Sequence, residues 1–149
     1  MKELIGVIGA GTCNQNIYLT AYEVGKEIGK RGYGLICGGM GGVMEASAKG
    51  CQENGGLTIG IIPHKNKEEA NPYLDIVIPT GMGIMRNLLI VRSAAVLIAI
   101  DGRYGTLSEI AFALQIGKPV IGLQTWEVST EIIDASDAID AVQKATERV

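Results

Sequence analysis

Unbroken apolar runs that empty into glycine-rich turns constrain this chain more than any other feature. LIGVIG (Leu4–Gly9), YGLIC (Tyr33–Cys37), LTIGIIP (Leu57–Pro63), LDIVIP (Leu74–Pro79), AAVLIAI (Ala94–Ile100) and PVIGL (Pro119–Leu123) are rich in Val, Ile and Leu. They lack the apolar–polar alternation of a half-solvated sheet, so they read as parallel strands buried on both faces. Between them lie stretches with apolar residues at helical spacing. The first covers residues 16–31 through Ile17, Ala21, Val24 and Ile28, and Gly32 stops it. Further helices are expected over Val43–Glu53, after the loop at residues 80–86, over Leu107–Ile116, and from Ser136 with Ala138, Ile139, Val142 and Ala145 on one face. EIIDAS (Glu131–Ser136) supplies a short seventh strand. The expectation is α/β: a three-layer, doubly wound, Rossmann-like parallel sheet of six or seven strands with helices on both faces. No linker or internal repeat divides residues 1–149, which read as a single domain.

Composition removes several function classes. Apolar residues make up 47% of the 149 positions, enough for a core without disulfides or metal. Net charge is −3 with scattered Lys and Arg, and aromatics are 5%, so neither a basic face nor a stacking platform for nucleic acid is visible. Cys13, Cys37 and Cys51 form no Cys-x-x-Cys and accompany one histidine, His64, which argues against a metal site. They read as reduced thiols of a cytoplasmic protein. No apolar run reaches membrane-spanning length, and MKELIGVIGAG is too short and glycine-broken for a signal peptide.

Ligands of such sheets bind beyond the C-terminal strand ends, which directs attention to loops 9–14, 38–42, 80–86 and 101–106. GAGTCN (Gly9–Asn14) departs from a dinucleotide fingerprint: Asn14 occupies the third glycine position, and the second strand ends in Cys37-Gly38-Gly39 instead of an acid. It remains a loop able to cradle part of a ligand through Gly11 and Thr12. In GGMGGVME the glycines Gly38, Gly39, Gly41 and Gly42 either relieve crowding or bare their amides to an oxyanion at a helix start, and the anion reading is the stronger. DGRYGTLSE (Asp101–Glu109) contains Thr106-x-x-Glu109, a capping box in which Thr106 caps the helix and Glu109 folds back on it. Gly102 and Gly105 make the same stretch a second bare loop, so Glu109 is read as both cap and ligand-facing acid. Arg86 is an odd cation for a helix start. It is either solvated or reaches over the pocket to an anion or to Glu109. The expectation that unites these loops is that amides near Gly41 and Gly105 face one cavity.

GGMGGVMEASAKG, GMGIMRN and DGRYGTLSEIAFALQIGKPVIGL together resemble the Lonely Guy/lysine-decarboxylase-like superfamily, and more closely its branch similar to molybdenum cofactor carrier proteins. The resemblance implies a site for a nucleoside monophosphate or a nucleotide-like, molybdopterin-type ligand, with no required cofactor. It implies phosphate binding by Gly105 and Thr106 aided by Gly102, catalytic roles for Glu109 and Arg86, and Gly38, Gly39, Gly41 and Gly42 beside the nucleotide. Enzymes of the superfamily cleave the N-glycosidic bond of a nucleoside 5′-monophosphate; carrier members bind molybdopterin unchanged. No lysine context supports decarboxylase chemistry. A homodimer or homotetramer is implied, with no nucleic-acid or membrane partner. Asp101 and Arg103 stand where the enzymes have Pro and Gly, and Asn87 where they have Lys. Arg103 then either adds a charge-assisted contact to phosphate or blocks its approach, and Asp101 either binds a ribose hydroxyl or repels the phosphate. Hydrolase and non-catalytic carrier both remain open on these residues.

Overall fold

A computed structural model describes residues 2–149. Its elements run β1 (Leu4–Gly9), α1 (Gln15–Lys30), β2 (Gly34–Cys37), α2 (Val43–Glu53), β3 (Thr58–Ile62), β4 (Ile76–Pro79), α3 (Asn87–Ser93), β5 (Val96–Ile100), α4 (Tyr104–Gln115), β6 (Val120–Leu123), β7 (Ile133–Asp134) and α5 (Ala138–Thr146). Short 3-10 turns cover Lys67–Glu69 and Gly83–Arg86. The strands form one sheet in the order β4-β3-β2-β1-β5-β6-β7, every neighbouring pair parallel. This is the expected Rossmann-like α/β fold.

The apolar runs of the central strands are continuous because these strands feed two cores; β4 departs from the expected two-sided burial, since it lies at the sheet edge with Ile76 and Ile78 exposed. Along β5, Val96, Ile98 and Ile100 join the cluster formed with α1, α2 and α5. The intervening Leu97 and Ala99 join the cluster formed with α3 and α4. A solvated face would have required polar residues at one of these sets. The α1 stripe Ile17, Ala21, Val24 and Ile28 is buried as its spacing predicts. In α5 the buried face is Ala138, Ala141, Val142 and Ala145, while Ile139 is exposed. The helix starts two residues later than expected, capped by Asp137, and Ile139 lies off the i, i+3, i+4, i+7 stripe that Ala138, Ala141, Val142 and Ala145 form.

Pairing of β1 with β2 on one side and β5 on the other makes the space above β1 and β5 the switch point of the sheet. The chain leaves β1 toward one edge, returns through β5, and proceeds to the other edge. The β1–α1 and β5–α4 loops therefore part above neighbouring strands and leave a crevice.

Candidate functional site

The crevice is a cavity of about 480 Å³ lined by Gly9, Ala10, Gly11, Thr12, Met44, Ile84, Arg86, Asn87, Arg103, Gly105, Thr106 and Glu109. Its polar wall is the start of α4. Arg103 is the last non-helical residue there, and no side chain caps the helix. Leu107 donates to the Arg103 carbonyl at 3.0 Å, while the amides of Tyr104, Gly105 and Thr106 have no intramolecular acceptor among the described residues. Unclaimed N–H groups at the positive end of a twelve-residue helix are a site for an oxyanion.

This start overturns the capping box. The helix begins at Tyr104, three residues earlier than expected, so Thr106 and Glu109 lie inside it and both are buried. The cause is Gly102, at φ 107°. A β-carbon there would stand 2.4 Å from the Thr106 side chain, so its absence lets the first helical turn fold down onto the loop.

Glu109 is 7% exposed and has no hydrogen-bond partner among the described residues, yet it lines the cavity. Burial pushes its carboxyl up to about 8, against a smaller lowering by the Arg86 charge. Arg86 is 8% exposed and is built into the wall. Its Nε donates to the Ile61 carbonyl at 2.8 Å, Nη2 to the Gly38 carbonyl at 3.2 Å, and Nη1 to Asn87 Oδ1. It is therefore neither solvated nor a free arm over the pocket, and no ion pair joins it to Glu109 among the described residues. Burial lowers its pKa, and Glu109 partly restores it.

Asn87 is the residue that spacing alone did not mark. Buried at the start of α3, it accepts from Arg86 and donates through Nδ2 to Ser108 Oγ at 3.1 Å and the Gly105 carbonyl at 3.4 Å. It ties the guanidinium to the first turn of α4. A lysine here could not accept from Arg86.

The glycines of the β2–α2 loop are placed differently from Gly105 of α4. Gly38, Gly39, Gly41 and Gly42 are not among the residues lining the cavity, and Met44 reaches it from their helix. Gly42, at φ 61°, packs against the β1–α1 loop: a β-carbon would stand 2.2 Å from the Ala10 carbonyl. That carbonyl also accepts from the Val43 amide at 2.9 Å. The loop thus supports Ala10 and Gly11 from below, and the crowding explanation accounts for its composition. Asp101 and Gly102 face a second cavity of about 300 Å³, shared with Gln124, Thr125 and Trp126.

No cluster of three metal-ligating side chains occurs among the described residues, and no helix there is long and apolar enough to cross a membrane. Comparison with known proteins adds relatives. The molybdenum cofactor binding protein of the phototrophic bacterium Rippkaea orientalis superposes with a TM-score of 0.93 at 34% identity, covering 99% of this chain and 97% of that one. The molybdenum cofactor carrier protein of Chlamydomonas reinhardtii gives 0.89 at 34% identity, covering 99% and 98%. An uncharacterized protein of Archaeoglobus fulgidus is 53% identical over 120 residues, 80% of this chain and 79% of the relative. A family model described as the SLOG cluster4 family matches residues 2–148, in agreement with the superfamily resemblance and its carrier branch. The chain belongs to the SLOG cluster4 family.

Proposed function

We propose that the chain binds a molybdopterin-type ligand, with its phosphate in the 480 Å³ cavity, and carries it without breaking its bonds. The observation that carries this reading is the row of unclaimed amides at the start of α4, set beside a carboxyl that burial keeps largely protonated at neutral pH. A phosphate monoester accepts from the amides of Gly105 and Thr106, with Arg103 on the rim adding charge. A neutral Glu109 does not repel that anion. The likeness over the full length to a cofactor-binding and a cofactor-carrier protein supports the same reading.

The same carboxyl weakens the hydrolase alternative. Cleaving an N-glycoside calls for an ionised carboxylate beside the developing sugar cation. A group raised to about 8 is mostly protonated at pH 7, a form suited to a general acid and not to stabilising that cation, and Arg86 is held by two backbone carbonyls. Arg86 and Glu109 are then wall residues that shape the cavity and set its polarity. The exposed apolar side chains Ile84, Met85, Leu89, Phe112 and Ile116 support self-association as a homodimer or homotetramer.

The test is to purify the protein from a host that makes molybdopterin, release the ligand, and measure oxidised pterin by fluorescence and mass. The expected result is an intact pterin phosphate, lost in Arg103→Glu. Free base accumulating in excess of protein from nucleoside monophosphates would overturn the carrier reading in favour of the hydrolase.

A further inference from the structure

Two residues that are not glycine occupy left-handed backbone, and they face the same small cavity. Asp101 has φ 52° and Gln124 has φ 51°. Each sits just beyond a strand end, Asp101 after β5 and Gln124 after β6, and both line the 300 Å³ cavity with Gly102, Thr125 and Trp126. Left-handed backbone costs a side-chain-bearing residue about 1–2 kcal/mol, and glycine would serve there at less cost. At both positions the chain keeps a polar side chain instead.

The loop between the two cavities is held by hydrogen bonds on both sides. The Thr125 hydroxyl donates to the Asp101 carbonyl at 2.7 Å, the Asp101 amide to the Leu123 carbonyl at 3.2 Å, and Trp126 Nε1 to the Arg103 carbonyl at 3.0 Å. The Asp101 backbone is thus pinned on both sides. The Trp126 ring lies 6.1 Å from that of Tyr104, which is 75% exposed.

Charge divides across this loop. On the β1 side stand Arg103 and the open amides of α4. On the β6 side Asp101 and Gln124 line the second cavity. An oxyanion in the second cavity would be repelled, so that cavity suits the end of a ligand that donates hydrogen bonds. A carboxylate accepts two parallel N–H groups, and a carboxamide beside it offers one donor and one acceptor. The heterocyclic edge that answers this set is a 2-amino-4-oxopyrimidine, with adjacent ring N–H and amino donors next to a carbonyl.

We propose that the cavity above β5 and β6 is the heterocycle subsite of the ligand whose phosphate lies at the start of α4. There Asp101 and Gln124 read a 2-amino-4-oxopyrimidine edge against the Trp126 side chain. Pterins and guanine share that edge; adenine lacks it. This inference rests on the anion site proposed above and adds the choice of ring.

Trp126 is the chain's one tryptophan, so its fluorescence reports on this cavity directly. Titrations use inorganic phosphate, AMP, GMP and a 6-hydroxymethylpterin monophosphate, with wild type and Asp101→Asn. Asparagine keeps the size of the side chain and tolerates left-handed backbone, so the fold is retained. GMP and the pterin phosphate are expected to quench Trp126 and to bind at least about tenfold more tightly than AMP, the scale of one bidentate edge contact. Asp101→Asn is expected to remove that advantage while inorganic phosphate binds within twofold of wild type. A larger advantage for the pterin phosphate than for GMP assigns the subsite to pterins, and the reverse assigns it to guanine. If AMP binds as tightly as GMP and the pterin phosphate, or if Asp101→Asn weakens all four probes alike, the subsite is overturned while the anion site stands. If no probe binds, both are overturned.

Discussion

Replacing Glu109 by glutamine removes one titration from an otherwise unchanged wall, and the consequence can be worked out. The carboxyl is raised from an ordinary 4.5 to about 8 by burial, with Arg86 opposing. Between those two values the native state holds a proton that the unfolded chain has released. Stability therefore falls as pH rises through that window. At ~1.36 kcal/mol per pH unit the whole interval comes to about 5 kcal/mol, and the part lying between pH 5 and pH 8.5 is about 4 kcal/mol. Urea unfolding followed by Trp126 fluorescence at both pH values gives the comparison. All other groups titrate in both proteins and cancel in the difference. The stability of Glu109→Gln relative to wild type should improve by about 4 kcal/mol on going from pH 5 to pH 8.5. A change smaller than about 1 kcal/mol, or one of opposite sign, would show that Glu109 is ionised at neutral pH. An ionised Glu109 would then be available for glycoside cleavage.

Other perturbations test the wall piece by piece. Gly102→Ala places a methyl group 2.4 Å from the Thr106 side chain at a positive φ, so it should cost at least about 2 kcal/mol in urea unfolding. A neutral or stabilising effect would mean that α4 starts elsewhere. Arg86→Lys exchanges a fork serving Ile61, Gly38 and Asn87 for one ammonium and should cost about 3–5 kcal/mol. A loss below about 1 kcal/mol would contradict a structural guanidinium. Cys37 and Cys51 are buried and pushed up to about 12, so iodoacetamide at pH 8 should modify the less buried Cys13 first. Equal labelling of Cys37, read by peptide mass spectrometry, would mean that the β2 end opens.

The central strands were readable because two-sided burial leaves an unbroken apolar trace, whereas β4 carries a similar trace with Ile76 and Ile78 exposed. Helix starts were less readable. Thr106-x-x-Glu109 matches a capping pattern, yet the helix begins where Gly102 lets it, and the missing β-carbon matters through a contact no local pattern reports. The two glycine loops look alike in sequence. One opens onto the cavity at Gly105, while Gly42 meets the Ala10 carbonyl, and that difference is tertiary. Arg86 was found by its unusual position. Its three acceptors could not be, since they come from β3, the β2–α2 loop and the neighbouring residue. Asn87 showed in sequence as a departure from the superfamily pattern, and its function as a link between α3 and α4 emerged from the fold.

The pairing of Ile5 with Val96 has a kinetic consequence. β1 emerges first during synthesis, but its partner β5 arrives only after the intervening hairpinless crossovers are complete. The crevice has no local precursor, because its opposite walls are brought together by closure of most of the chain. A nascent or partly unfolded molecule therefore has the first turn of α4 but not the opposite wall of the crevice. The complete crevice is a property of the finished molecule, and any ligand bound only there would oppose unfolding by mass action.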